Sequence, residues 1–216
     1  MESKDFFSSL RFQHSESGEW SHAEASPLEE AEKAFVFPAA EVLPHPRSIL
    51  EVGFGRGVNS AVALRYLGRE KPSLACTFGG IEPFPQLLHP WPPLLPDWSE
   101  YFPWWGKLES SWHSKAHRGA ISTAPFPGHC PPVPGGWDWI FVDLFSPGAH
   151  PQDWGDSWAS VLAAHASPHA VLTTYCCARS VRERLQQAGW GVEILRSKGY
   201  RDTLRAQRCT PLPISA

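Results

Sequence analysis

The 216-residue chain lacks any long apolar run: stretches such as 61–64 and 139–142 are only a few residues long. A membrane span needs about 20 apolar residues, so no membrane association is expected. No apolar segment follows Met1, Glu2, Lys4 and Asp5, which argues against a secretory signal and for a cytoplasmic location. There is no C-x-x-C among the five cysteines, their number is odd, and the single close pair, Cys176-Cys177, is adjacent. Neither a disulfide framework nor a zinc site is expected from that pattern. His113 and His117 are four apart but lack the glutamate of a zincin helix, and the ten histidines form no second ligand cluster, so no metal is expected. The absence of a G-x-S-x-G elbow removes the simplest hydrolase reading. No internal repeat is seen. A net charge of −3 excludes a generically basic nucleic-acid binder.

What is present suits a globular protein, with 42% hydrophobic and 19% charged residues in a length typical of one domain. From about residue 48, apolar runs alternate with helical patterns, the signature of an α/β fold with a mainly parallel sheet. Strands are expected at 48–52, 76–82, 119–124, 138–143, 170–175, 191–196 and 202–208, and helices at 58–68, 151–166 and 178–189. That is a seven-stranded, mostly parallel sheet with helices on both faces. Residues 1–47 read as an acidic N-terminal extension with a helix at PLEEAEKAF, and 209–216 as a tail. Residues 83–136 hold twelve of the 22 prolines and five tryptophans, and their first part, 83–118, reads as an ordered insertion, since linkers seldom use tryptophan.

The most informative segment is ILEVGFGRGVNSAVALRYL. A buried strand ends in Glu51, glycines alternate at 53, 55 and 57 around Phe54, and a helix opens near Val58 or Asn59. Such glycines allow a tight turn and close approach of a ligand to backbone N–H groups. The spacing is G-x-G-x-G, not the G-x-G-x-x-G of dinucleotide sites. Preceded by an acid, it is the form met in adenosylmethionine enzymes, whose ligand has a charged amino-acid end and no pyrophosphate. Glu82, followed by Pro83, ends the next strand 25 residues after Gly57, near the ~20 at which an acid reaches a ribose.

A second passage, WDWIFVDLFSPGAHPQDWGDSW, carries Asp143 to the carboxyl edge of the sheet, where open α/β folds bind substrates. Phe145 beside this acid offers a seat for a flat base, and Ser146-Pro147 turns the chain over the edge. Methyl transfer from a sulfonium requires alignment and a nucleophile with a free lone pair. An alkyl ammonium of pKa ~10 is protonated at neutral pH, so a carboxylate can attract it and accept its proton.

Charge is unevenly spread. Residues 1–51 carry ten acids against four bases, and residues 179–208 carry eight bases against three acids. The latter surplus faces either solvent or a phosphate backbone.

EVGFGRGVN, the VDLFSP-x-x-x-P-x-x-W passage and TTYCCARSVRERLQQAGWGVE together resemble the methyltransferase half of the MnmC-type tRNA-modification enzymes. The segment FQHSESGEWSHAEASPLEEAEKAFVFP is similar to their N-terminal lead-in, and the likeness is poorest at 83–136. The resemblance implies a Rossmann-like class I fold and S-adenosylmethionine as cofactor. The implied reaction moves a methyl group to the primary amine of 5-aminomethyl-(2-thio)uridine at the tRNA wobble position. It also implies that Glu51, Gly53, Gly55, Gly57, Asn59 and Glu82 surround the cofactor, with Asp143 and Phe145 beside the amine and tRNA contacts at Lys198, Arg201 and Arg205. The bifunctional relatives add an oxidase domain, for which 216 residues leave no room, so the substrate is expected from a separate enzyme. Two departures stand out: no acid lies between Glu109 and Asp138, where relatives carry one near the adenine, and the basic C-terminal run is shortened to KGYRDTLRAQR. A methyltransferase of another amine or small molecule, an aminopropyltransferase and a non-catalytic binding module remain as alternatives.

Overall fold

The computed structural model describes residues 13, 18–21, 26–70, 74–84, 111–114, 117–197 and 200–208. Its elements are α1 (Pro27–Ala31), a π-helical turn (Glu32–Val36), α2 (Phe37–Ala40), β1 (Ser48–Val52), α3 (Val58–Glu70), β2 (Cys76–Ile81), β3 (Ser111–Ser114) and β4 (His117–Ser122). There follow β5 (Trp137–Val142), α4 (Trp158–His165), β6 (Ala166–Thr174), α5 (Arg179–Gln187), β7 (Trp190–Leu195) and β8 (Thr203–Arg208). Ser26 opens α1 by accepting the Glu29 N–H on its hydroxyl at 3.2 Å, with Pro27 at the first helical position. Pro38 has no N–H to give a regular i−4 partner, and the widened turn sits immediately before it.

The strands form one sheet in the order β3-β4-β2-β1-β5-β6-β8-β7. Pairing is parallel from β4 through β2, β1 and β5 to β6, and antiparallel where β8 enters between β6 and β7. The seven expected strands are all there. An eighth, β3, pairs antiparallel with β4 at the edge, in the stretch read as an insertion. Four residues reading Ser-Trp-His-Ser give no apolar alternation, so this strand left no periodic signal. The helix expected over 151–166 starts only at Trp158, because Pro151 and Gly155 favour the turns that precede it.

Side-chain alternation along the central strands feeds two cores. Ile49, Trp139, Phe141 and Val171 face one layer, with Leu28, Phe35, Val36 and the α3 residues Ala61, Val62 and Leu64. Leu50, Ile140, Val142 and Leu172 face the other, with Trp154, Trp158, Leu162, Val181 and Leu185. The helical part of the segment read as an N-terminal extension therefore belongs to the first core. Trp139 ties it further by donating its indole N–H to the Leu43 carbonyl at 2.9 Å. The chain reverses its direction of travel across the sheet between β1 and β5, which places their carboxyl ends at a topological switch point. Among the described residues no helix is long and apolar enough to cross a membrane.

Candidate active site

The loop after β1 starts at Gly53, whose φ of +79° suits glycine. A Cβ built on Gly53 would lie 2.4 Å from the Asp143 carbonyl oxygen, so only glycine lets the two strand ends approach this closely. Gly55 and Gly57 also have positive φ, at 52° and 68°. The N–H groups of Gly53 and Phe54 both donate to the Ile81 carbonyl at 3.0 Å, and Gly55 N–H donates to Glu82 Oε2 at 2.6 Å. Glu82 Oε1 accepts the Phe84 N–H at 2.9 Å. Glu82 therefore staples both loops, and each oxygen retains a lone pair for a further donor. Burial raises its pKa to about 6, against the two backbone hydrogen bonds that lower it.

Glu51 turns inward. Its Oε2 accepts the N–H of Ser60 at 3.0 Å and the Ser60 hydroxyl, and its Oε1 accepts Asn59 Nδ2 at 2.9 Å. The carboxylate thus caps the first turn of α3. Burial pushes its pKa up to about 8; the Ser60 hydrogen bond opposes that rise and the charge of Asp143 adds to it. The same Asn59 amide donates to Asp143 Oδ2 at 2.7 Å, so one NH2 group spans two carboxylates. Asn59 Oδ1 is buried with no hydrogen-bond partner.

Asp143 leaves β5 with its N–H on the Val52 carbonyl at 2.9 Å, and the next three residues are each held from elsewhere. Tyr175, at the end of β6, donates its hydroxyl to the Leu144 carbonyl at 2.6 Å. Trp154 donates its indole N–H to the Phe145 carbonyl at 2.6 Å. Ser146 donates N–H and hydroxyl to Glu19. The Phe145 ring lies 5.0 Å from that of His150, tilted by 31°.

Between these loops opens a cleft with about 720 Å³ of empty space, open solvent included. Gly53, Phe54, Gly55, Glu82, Pro83, Asp143 and Phe145, each singled out in the sequence, line it together. Glu51, Gly57 and Asn59 stand behind it, and Ser146 and Pro147 continue the turn beyond it. Arg201 sits 4.8 Å above the Tyr175 ring and 3.9 Å from buried Glu30. Arg205, 12% exposed, binds Glu41 at 2.7 Å, Glu193 at 2.8 Å and the Pro38 carbonyl at 3.0 Å, so it is committed to the fold. Lys198 lies outside the described residues.

Sequence reasoning missed Ser21, Phe84, Phe126, Asp153 and Tyr175, which also line the cleft. Tyr175 had a readable signal, the carboxyl end of a parallel strand. Phe126 had none; it sits after β4, in the acid-free stretch 110–137, as an aromatic wall. Among the described residues no group of three or more His, Cys, Asp or Glu is placed to hold a metal ion.

Residues 128–208 match a family described as S-adenosyl-L-methionine-dependent methyltransferase. The bifunctional protein MnmC of Aeromonas hydrophila, of tRNA 5-methylaminomethyl-2-thiouridine biosynthesis, is 34% identical over 83 residues, 38% of this chain and 12% of that protein. Its namesake in Ectopseudomonas mendocina is 35% identical over 78 residues, 35% of this chain and again 12% of the relative. The matched segment is thus a small part of these longer relatives. In three dimensions, MnmC2 from Aquifex aeolicus superposes with a TM-score of 0.78 at 25% identity, over 94% of this chain and 68% of that one. The magnesium protoporphyrin IX methyltransferase of Synechocystis, solved with S-adenosylmethionine bound, gives 0.53 at 12% identity over 84% and 79% of the chains, a likeness of fold alone.

The fold is that of class I methyltransferases, and residues 128–208 are similar to a family of S-adenosyl-L-methionine-dependent methyltransferases. Over the matched parts it is similar to the MnmC and MnmC2 proteins.

Proposed function

We propose that the protein transfers the methyl group of S-adenosylmethionine to the primary amine of 5-aminomethyl-(2-thio)uridine at the wobble position of tRNA. The observation that carries this reading is the placement of Asp143 and Phe145. A carboxylate fastened by Asn59 and an aromatic face line one cleft beside the glycine loop. The residues fit the cofactor: Glu82 has lone pairs left for ribose hydroxyls, and Asn59 Oδ1 is an orphaned acceptor suited to an ammonium. When bound, the cofactor supplies an electrophilic methyl on a sulfonium.

Asp143 attracts the substrate ammonium, accepts its proton at a carboxylate oxygen and leaves a lone pair on the nitrogen. Asn59 donates to Oδ2 and so stabilises the ionised form of Asp143. Phe145 supports the base, and its ring is backed by His150. Cytoplasmic location and supply of the amine by a separate enzyme belong to the same proposal.

A second reading, methylation of a smaller amine, is favoured by one observation: Arg179, Arg184, Arg196, Arg201 and Arg205 are ion-paired within the chain rather than bare. Calorimetric titration of S-adenosylmethionine into wild type and Asp143→Ala, with transfer assays on tRNA bearing 5-aminomethyluridine and on the free nucleoside, separates the two. Binding by both proteins, with transfer to tRNA only by wild type, supports the proposal. Transfer to the nucleoside alone supports the second reading, and no binding by wild type refutes both.

A further inference from the structure

The turn carrying Asp143 and Phe145 is held at consecutive residues by four different parts of the chain. Asn59 of α3 holds the Asp143 carboxylate, Tyr175 after β6 holds the Leu144 carbonyl, and Trp154 holds the Phe145 carbonyl. The fourth hold comes from the far N-terminal side. Glu19 Oε1 and Oε2 both lie 3.2 Å from the Ser146 nitrogen, and Oε2 accepts the Ser146 hydroxyl at 2.9 Å. These bonds join residues 127 apart in sequence, and two positions beyond Glu19 the chain reaches the cleft at Ser21. Glu19 is also near enough to Tyr175 for its charge to act on the phenol together with that of Asp143.

We infer that Glu19 is a positioning residue of the transfer site: it fixes the backbone of Ser146, and through it the orientation of Phe145 and Asp143. Ser146 in turn sets the rest of the turn, since its carbonyl accepts the N–H groups of Ala149 and His150 at 3.0 and 2.9 Å. That places His150 behind the Phe145 ring. A charged acceptor receiving two donors is the strong form of hydrogen bond, and it reaches a turn whose other anchors are neutral donors or Asn59. The N-terminal segment therefore completes the catalytic edge from outside the sheet. The kinetic part of this inference rests on the proposed function; the structural part does not.

The test compares wild type with Glu19→Ala and Glu19→Gln in three readouts. Hydrogen exchange at the Ser146 amide reads the hold directly, and Glu19→Ala is expected to speed it about ten-fold, the size set by losing a bond to a charged acceptor. Calorimetric affinity for S-adenosylmethionine should stay within about two-fold, since Glu19 is not among the residues that line the cleft. On tRNA bearing 5-aminomethyluridine, kcat should fall about ten-fold in Glu19→Ala with the KM for cofactor unchanged. Glu19→Gln should recover most of the rate, because the Gln carbonyl still accepts from both Ser146 donors. Unchanged Ser146 exchange in Glu19→Ala overturns the inference, as does a Glu19→Gln variant as slow as Glu19→Ala, which would make charge the active property. If wild type itself transfers nothing to this tRNA, the proposed function fails, and the exchange measurement still decides the role of Glu19. Should Glu19→Ala not fold, exchange in Glu19→Asp, whose side chain is one methylene shorter and draws the acceptor away from Ser146, is read in its place; wild-type exchange there refutes the hold.

Discussion

Replacing Glu51 by Gln tests how the cofactor loop is held. Glu51 is 1% exposed, and burial, opposed by Ser60 and reinforced by Asp143, lifts its pKa from 4.5 to about 8. An acid whose folded pKa exceeds its unfolded one keeps its proton more tightly in the folded state. The cost to stability is absent below about pH 4.5, grows as pH rises toward 8, and is constant above that. Between pH 5 and pH 8 the accumulated penalty is about 3 to 4 kcal/mol, a large part of the stability of a domain. Gln carries no charge, while its carbonyl can still accept from Ser60, so this component disappears.

Urea unfolding of the cofactor-free protein at pH 5, 6, 7 and 8 reads the effect. Wild-type stability should fall relative to Glu51→Gln by about 3 to 4 kcal/mol across that range, with the difference flattening above pH 8. Parallel curves would refute the reasoning, because they would mean that Glu51 titrates alike in the folded and unfolded chains. Binding offers a second view of the same group. An ammonium brought near Glu51 favours its ionised form, so S-adenosylmethionine at pH 7 should release up to about 0.9 proton from wild type and less from Glu51→Gln. Calorimetry in buffers of different ionisation enthalpy measures that release.

Gly53→Ala should lower cofactor affinity at least about ten-fold and destabilise the fold by about 2 kcal/mol or more, since its Cβ would meet the Asp143 carbonyl at 2.4 Å with φ at +79°. Calorimetry and urea unfolding read the two effects. Glu82, with a pKa raised to about 6, should lose its ribose-accepting charge as pH falls through that value. Cofactor affinity is then expected to drop about ten-fold more between pH 7.5 and pH 5 in wild type than in Glu82→Gln, whose remaining pH dependence is that of Glu51. Arg205→Ala should cost about 1 to 2 kcal/mol in urea unfolding through its lost carbonyl bond and ion pairs. The part due to Glu41 should appear as non-additivity of about 0.5 kcal/mol in the double variant Glu41→Ala/Arg205→Ala.

The sheet was legible because its central strands are buried on both faces and read as apolar runs ended by an acid or a turn: SILEV, WDWIFV and AVLTT. The glycine loop and Glu82 were legible because backbone conformation and close approach leave chemical marks in the residue types. Glu51 was only half legible. Its presence at the strand end could be read, but its use as a cap for α3 depends on Asn59 and Ser60 arriving at the first helical turn. Phe126 and Ser21 left no signal, since they reach the cleft through loops with no periodic pattern. The hold of Glu19 on Ser146 spans 127 residues, and no local rule of spacing encodes a contact of that range.

The opposite charge of the two ends looked in the sequence like an acidic entry segment and a separate basic face. In the structure these ends meet: Glu30 lies beside Arg201, and Glu41 beside Arg205. Part of the basic surplus therefore ties the α1–α2 layer to β8 and the loop before it. The remaining pairs differ in how easily a phosphate would take them over. Arg179 and Arg196 have side chains 83% and 78% exposed, and their bonds to Glu183 and Asp202 are solvent-screened surface pairs. A phosphate competing for either displaces one carboxylate. Competing for Arg205 would strip two carboxylates and a backbone carbonyl from a side chain only 12% exposed. On the proposed function, a tRNA competing for these side chains would therefore draw on Arg179 and Arg196 before Arg205, with an affinity that falls with salt by the small slope of a few phosphate contacts.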